Sequence, residues 1–187
     1  MIEQTFRDLL RQLRELQEAL EGLGTTVDED KPGRGDVVVA SILSDAVLAA
    51  SGFLEETRQA AWEAHRAVLG SLDADGARRA LIRCQKRFHR FAAHFASELG
   101  SCDQIDDLRS VGRERGQDWL NWVTVVTQAL EQCREHMEES RDALFLCWQE
   151  LTERMSMTSV SVQTTNIGQQ FSARESIEGT PEQNGIT

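Results

Sequence analysis

The chain has no tyrosine and only two prolines, at positions 32 and 181. Between those two positions nothing forces a helix to end through a missing N–H. It also lacks a positive balance: 20 Lys and Arg stand against 31 Asp and Glu, for a net charge of −11. Phosphate contacts need clustered cations, so general binding to nucleic acid is excluded as an expectation. Long apolar runs are missing too. The best candidate span, residues 37–54, is interrupted by Ser41, Ser44, Asp45 and Ser51, and cannot pass for a bilayer-crossing segment. The opening residues MIEQTFRDLLRQLREL are charged throughout and have no apolar core of a signal peptide. These absences predict a cytoplasmic protein.

Recognisable reaction chemistry is equally scarce. The cysteines Cys84, Cys102, Cys133 and Cys147 form no C-x-x-C pair, and no histidine stands at zinc-finger spacing from them. Reduced thiols are expected. Cys84, Cys133 and Cys147 fall on apolar helix faces, where a thiol packs as a small hydrophobe; Cys102 falls in a polar loop. Of the histidines His65, His89, His94 and His136, His89 and His94 are five apart and point to different helix faces, unlike an i, i+4 zinc pair. His136 precedes acids in HMEES, a weak pattern by itself. There is no Glu-x-x-His repeat, nucleophile elbow or phosphate-binding loop. The spacings therefore name no catalytic residue, no metal ligand and no cofactor.

What is abundant is helix-forming: Ala, Leu, Glu, Arg and Gln dominate. Ile2, Phe6, Leu9, Leu13, Leu16, Leu20 and Leu23 step by four and three in turn, an a/d heptad. Gly22 and Gly24 are expected to stop this helix, with a loop over 25–36. A second helical region is expected from about 37 to 70, bent or divided at Gly52, then a turn over 71–76. A third, near 77–99, carries Ala77, Leu81, Cys84, Phe88, Phe91 and Phe95. After a loop to Gly116, Asp118 is a candidate cap for the longest helix. Its seam is Trp119, Val123, Val126, Leu130, Cys133, Met137, Ser140, Leu144, Cys147 and Leu151. Such stripes bury only against other helices. The expected fold is all-α, an antiparallel bundle of about four to five helices over 1–155, followed by a disordered tail over 156–187. The first seam is also a candidate self-association surface through Ile2, Phe6, Leu9, Leu13, Leu16 and Leu20.

Within an acidic chain, RRALIRCQKRFHR sets Arg79, Arg83, Lys86 and Arg90 in one stripe beside an apolar seam, flanked by Arg78 and Arg87. A basic amphipathic face of this kind engages anionic headgroups or a partner. It can equally lie against Glu131, Glu135, Glu138 and Glu139 of the last helix.

Leu81, Cys84, Phe88 and Phe91 in LIRCQKRFHRF, then Asp118 and Trp119 in DWLNW, lead into a long helix to Arg154 and the connector MTSVSVQTTNIGQQF. In this order the chain resembles the HeLo-like N-terminal domain of fungal STAND (NACHT or NB-ARC) proteins. The family's apolar N-terminal segment and following nucleotide-binding domain have no counterpart in these residues. The resemblance implies an isolated, non-catalytic helical signalling or interaction module related to incompatibility and cell-death sensors. Its expected partner is a protein or a second copy. The other readings are a membrane-active effector working through the basic helix at a membrane surface, and a structural helical bundle.

The tail is a change of composition. Val160, Val162, Thr164 and Asn166 alternate with Ser161, Gln163 and Thr165 in an uncharged run that has no proline. Alternation and amide side chains favour cross-β stacking. Val160, Val162, Gln163, Asn166 and Ile167 are accordingly a candidate templating segment, as found in tails of the resembling family; the alternative is a plain linker.

Overall fold

The first heptad runs past the glycines expected to end it. In the computed structural model, which describes residues 2–29, 37–69, 73–99 and 116–175, helix α1 spans Ile2–Glu29. Leu23 and Val27 extend the seam and are buried. Burying two such side chains is worth about 3–6 kcal/mol, more than the roughly 1 kcal/mol that each helical glycine costs. Gly24 has a packing reason of its own. A Cβ there would stand 3.3 Å from Val47 Cγ1 of the next helix, so its absence lets the two backbones approach.

Helix α2 spans Val37–Leu69 without a break at Gly52. Its buried residues Ala40, Leu43, Val47, Ala50, Leu54, Thr57, Ala61 and Ala64 also step by three and four, but most are small. The Thr57 hydroxyl is satisfied by the Phe53 carbonyl at 2.8 Å. Helix α3 spans Ala74–His94, begun by the Asp73 carboxylate accepting from the Gly76 N–H at 2.8 Å, and passes into a π turn over Phe95–Leu99. Helix α4 spans Gln117–Glu175. The chain enters it through Gly116 at φ 100°, a conformation that strains any side chain. The expected cap Asp118 lies inside the first turn, where its charge suits the helix dipole.

Cross-helix contacts fix the order of these elements. Ser44 donates to Asp28 at 3.4 Å and Arg58 donates to Gln17, so α1 and α2 run antiparallel. Arg83 meets Glu63 at 2.6 Å, and the His94 Nε2 lies 3.0 Å from the Ala46 carbonyl oxygen; α2 and α3 are antiparallel. The Cys147 thiol donates to the Thr5 carbonyl at 3.5 Å, and Gln12 reaches Glu139 at 3.1 Å, so α4 runs antiparallel to α1. The protein is an all-α up-and-down bundle of four helices, and no strand occurs among the described residues. The expected seams of α3 and α4 are buried, from Ala77 to Phe95 and from Trp119 to Cys147, with Met137 half-buried.

The chain divides into two compact units, Met1–Trp148 and Gln149–Thr187. The bundle described above belongs to the first. In the second, which holds the tail expected from 156 onward, the described backbone is helical to Glu175. Ser, Thr, Asn and Gln each disfavour a helix by less than about 1 kcal/mol, whereas a lone strand has no partner for its backbone groups. The candidate templating segment lies on this helical backbone, and its side chains are outside the described residues, as is all of 176–187.

Candidate functional site

The basic stripe of α3 divides between two surroundings. Arg83 pairs with Glu63 at 2.6 Å, while Arg87 donates to the Glu56 carbonyl at 2.9 Å and lies 3.6 Å from its carboxylate. Both acceptors belong to α2. The acids of the last helix, expected as an intramolecular partner, are not the groups that meet these arginines. The reason is angular: Arg83 and Arg87 are four apart and share the α2 side of the helix. Arg79, Lys86 and Arg90 are exposed, with no ion pair among the described residues.

Lys86 and Arg90 border a groove of about 660 Å³ between α3 and α4. Phe88 and Ala92 line the α3 bank, and Leu144, Phe145 and Trp148 the α4 bank, where Arg141 adds a third cation held by Asp142 at 3.4 Å. Phe145 is 60% exposed and its neighbour Leu146 52%. The groove thus has an apolar floor under a cationic rim, in a protein of net charge −11. Solvated aromatic side chains beside unpaired cations are the mark of a contact surface rather than of a core.

The α1 seam packs as core, the use expected of such a stripe. Ile2, Phe6, Leu9, Leu13, Leu16 and Leu20 are all buried inside the bundle, between α2 and α4. Both neighbours in this arrangement are supplied by the same chain.

A second constellation joins α1 to α4. Ligand atoms of Glu15, His136 and Glu139 lie within 4.8 Å of one another, and His136 Nδ1 is 3.0 Å from the Glu139 carboxylate. The Gln12 amide nitrogen can donate to Glu15 at 2.9 Å and to Glu139 at 3.1 Å. In sequence His136 stands beside the acids that follow it, whereas Glu15 is brought to it from another helix. The available signal was the spacing: Gln12 and Glu15, like His136 and Glu139, are three apart and flank a seam, so antiparallel pairing brings the two pairs together.

Burial disfavours the thiolate form of the core cysteines. Burial pushes Cys84 up to about 12, against a smaller opposing pull from Arg87, and pushes Cys133 up to about 12 as well. Since the thiolate is the nucleophile, a folded Cys102→Ser variant treated with iodoacetamide at pH 8 should leave both unmodified, and unfolding should make both react. Rapid labelling of the folded protein would contradict their burial. His65 is held below the ordinary imidazole range, first by burial and then by Arg7, with Glu3 opposing. The unfolded chain therefore takes up a proton more readily than the folded one, and this group favours unfolding as pH falls through its unfolded value.

No protein-family model matches the chain, and neither a curated protein nor a solved structure does. Among the described residues, no helix is long and apolar enough to cross a membrane.

Proposed function

We propose that this protein is a non-catalytic helical interaction module whose working face is the α3–α4 groove, occupied by an amphipathic helix with acidic flanks. The observation that carries the proposal is the pair Lys86 and Arg90, without ion-pair partners among the described residues, at the edge of a groove floored by Phe88, Phe145 and Trp148. The lining residues run about two turns along each helix, roughly 10 Å. That is the span of i, i+4 and i+7 anchors on a docking helix. The resemblance to HeLo-like N-terminal domains supports the same reading, because such a domain signals by contact rather than by catalysis.

The membrane-active reading calls on the whole basic stripe. It is the weaker of the two, since Arg83 and Arg87 already face carboxylates of α2. The two readings separate with a helical 15-residue peptide carrying leucines on one face and glutamates beside them, titrated in parallel with phosphatidylserine vesicles. Lys86→Glu with Arg90→Glu should weaken peptide binding at least about tenfold, on the scale of rim and buried charge pairs. Arg78→Glu with Arg79→Glu should leave it unchanged. Equal binding of a lysine-flanked peptide would sink the proposal, as would vesicle binding that survives the first pair and fails with the second.

A further inference from the structure

The contact between α1 and α4 carries chemistry that the groove does not use, and the geometry points to a site there for one first-row divalent cation. Glu15 and Glu139 supply carboxylates, His136 an imidazole nitrogen and Gln12 an amide. The atoms of Glu15, His136 and Glu139 lie within 4.8 Å of one another. A cation with ligand bonds of about 2.0–2.2 Å separates opposite ligands by about 4.2 Å, so the donors need move little to close on it.

The amide of Gln12 can serve the site with or without a cation. With its nitrogen inward it donates to Glu15 at 2.9 Å and Glu139 at 3.1 Å, holding two like charges together without a metal. Rotated half a turn, it presents its carbonyl oxygen to the same point as a further ligand. His136 faces Glu139 through Nδ1 at 3.0 Å, which leaves Nε2 to carry the proton of the neutral ring when Nδ1 ligates. An independent observation lies one helical turn away. Ser140 shares the His136 face of α4, is fully buried, and its hydroxyl has no hydrogen-bond partner. A water carried by the cation would offer a partner to that hydroxyl, which has none among the described residues.

The surroundings admit an ion. Glu139 and His136 side chains are partly exposed, which provides an entry path, and the guanidinium facing Glu15 is Arg11 at 3.9 Å, too far to occupy the ligand positions. One imidazole among oxygen donors favours zinc, cobalt or manganese over magnesium and calcium, which prefer all-oxygen cages. The bound cation would clamp α1 to α4.

The test is a titration of the metal-stripped full chain with Co²⁺, followed by its visible absorption and by displacement with Zn²⁺. The expected result is one cation per chain, a rise in thermal midpoint, and little competition from Ca²⁺ or Mg²⁺. His136→Ala and Glu15→Gln should each weaken binding at least about tenfold, the scale reported for lost partners of a metal site. Glu15→Gln keeps the side-chain shape and carries the test if the His136 variant does not fold. Gln12→Glu should bind the cation more tightly, because it adds a charged oxygen while removing the donor that bridges the carboxylates. Absence of a cobalt spectrum at stoichiometric metal would overturn the site. So would affinity unchanged by His136→Ala, which would place the ion on another histidine, and a Gln12→Glu variant that binds no better would remove the amide from the ligand set.

Discussion

Phe91→Ala should lower the stability of the bundle by about 3–5 kcal/mol, the range for deleting a buried aromatic ring. Phe91 is fully buried. Its ring centroid lies 6.1 Å from that of Phe88 and 6.1 Å from that of Phe95, within the spacing of favourable tilted aromatic pairs. Truncation therefore opens a cavity and breaks two ring contacts at once. Against a total of roughly 5–15 kcal/mol for a domain, that is a fifth or more of the stability. Urea unfolding followed by circular dichroism should show a lower midpoint with the slope retained. An unmoved midpoint would mean that the α3 aromatic row is not core.

A larger effect is expected from Leu13→Asp. Leu13 sits in the middle of the α1 seam with no exposure, and an unpaired carboxylate there must either stay charged in an apolar interior or take up a proton. Either way the cost is several kcal/mol, enough to abolish the folded state at neutral pH. The circular dichroism and the dispersion of the amide NMR signals should both collapse. The same substitution discriminates between two roles for the seam. At an intermolecular surface it would yield a folded monomer that no longer associates, and recovery of such a species would reopen α1 as an interface.

The seams of α1, α3 and α4 were legible because their large apolar residues mark a period of three and four. The inward face of α2 was not, and the cause is its residue size. Ala40, Ala50, Ala61 and Ala64 are buried, but alanine is common on every helix face and barely registers as apolar patterning. The end of α1 was misplaced for a related reason. Glycine's penalty is intrinsic and visible in sequence, while the burial of Val27 and the close approach at Gly24 depend on a neighbouring helix.

Of the candidate site, the stripe Arg79, Arg83, Lys86 and Arg90 could be read from spacing alone. Which of its members remain without carboxylates could not, because Glu56 and Glu63 are brought to Arg87 and Arg83 only by the pairing of α2 with α3. Phe145 lies outside the α4 seam, so its exposure follows from the heptad. Its juxtaposition with Lys86 and Arg90 follows only from the fold. The same holds for Glu15 beside His136.

The antiparallel order has a kinetic side. Pairing α1 with α2, and α2 with α3, closes only short connections, whereas the contact between Thr5 and Cys147 joins residues 142 positions apart. Closing so long a loop is entropically unfavourable as a first event. It becomes inexpensive once the first three helices have already brought the ends of the loop near. The α1–α4 seam is thus the contact expected to form last and to open first. An ion between α1 and α4 would act on that step: it would leave the pairing of sequential helices unchanged and slow the opening of the seam that closes the bundle.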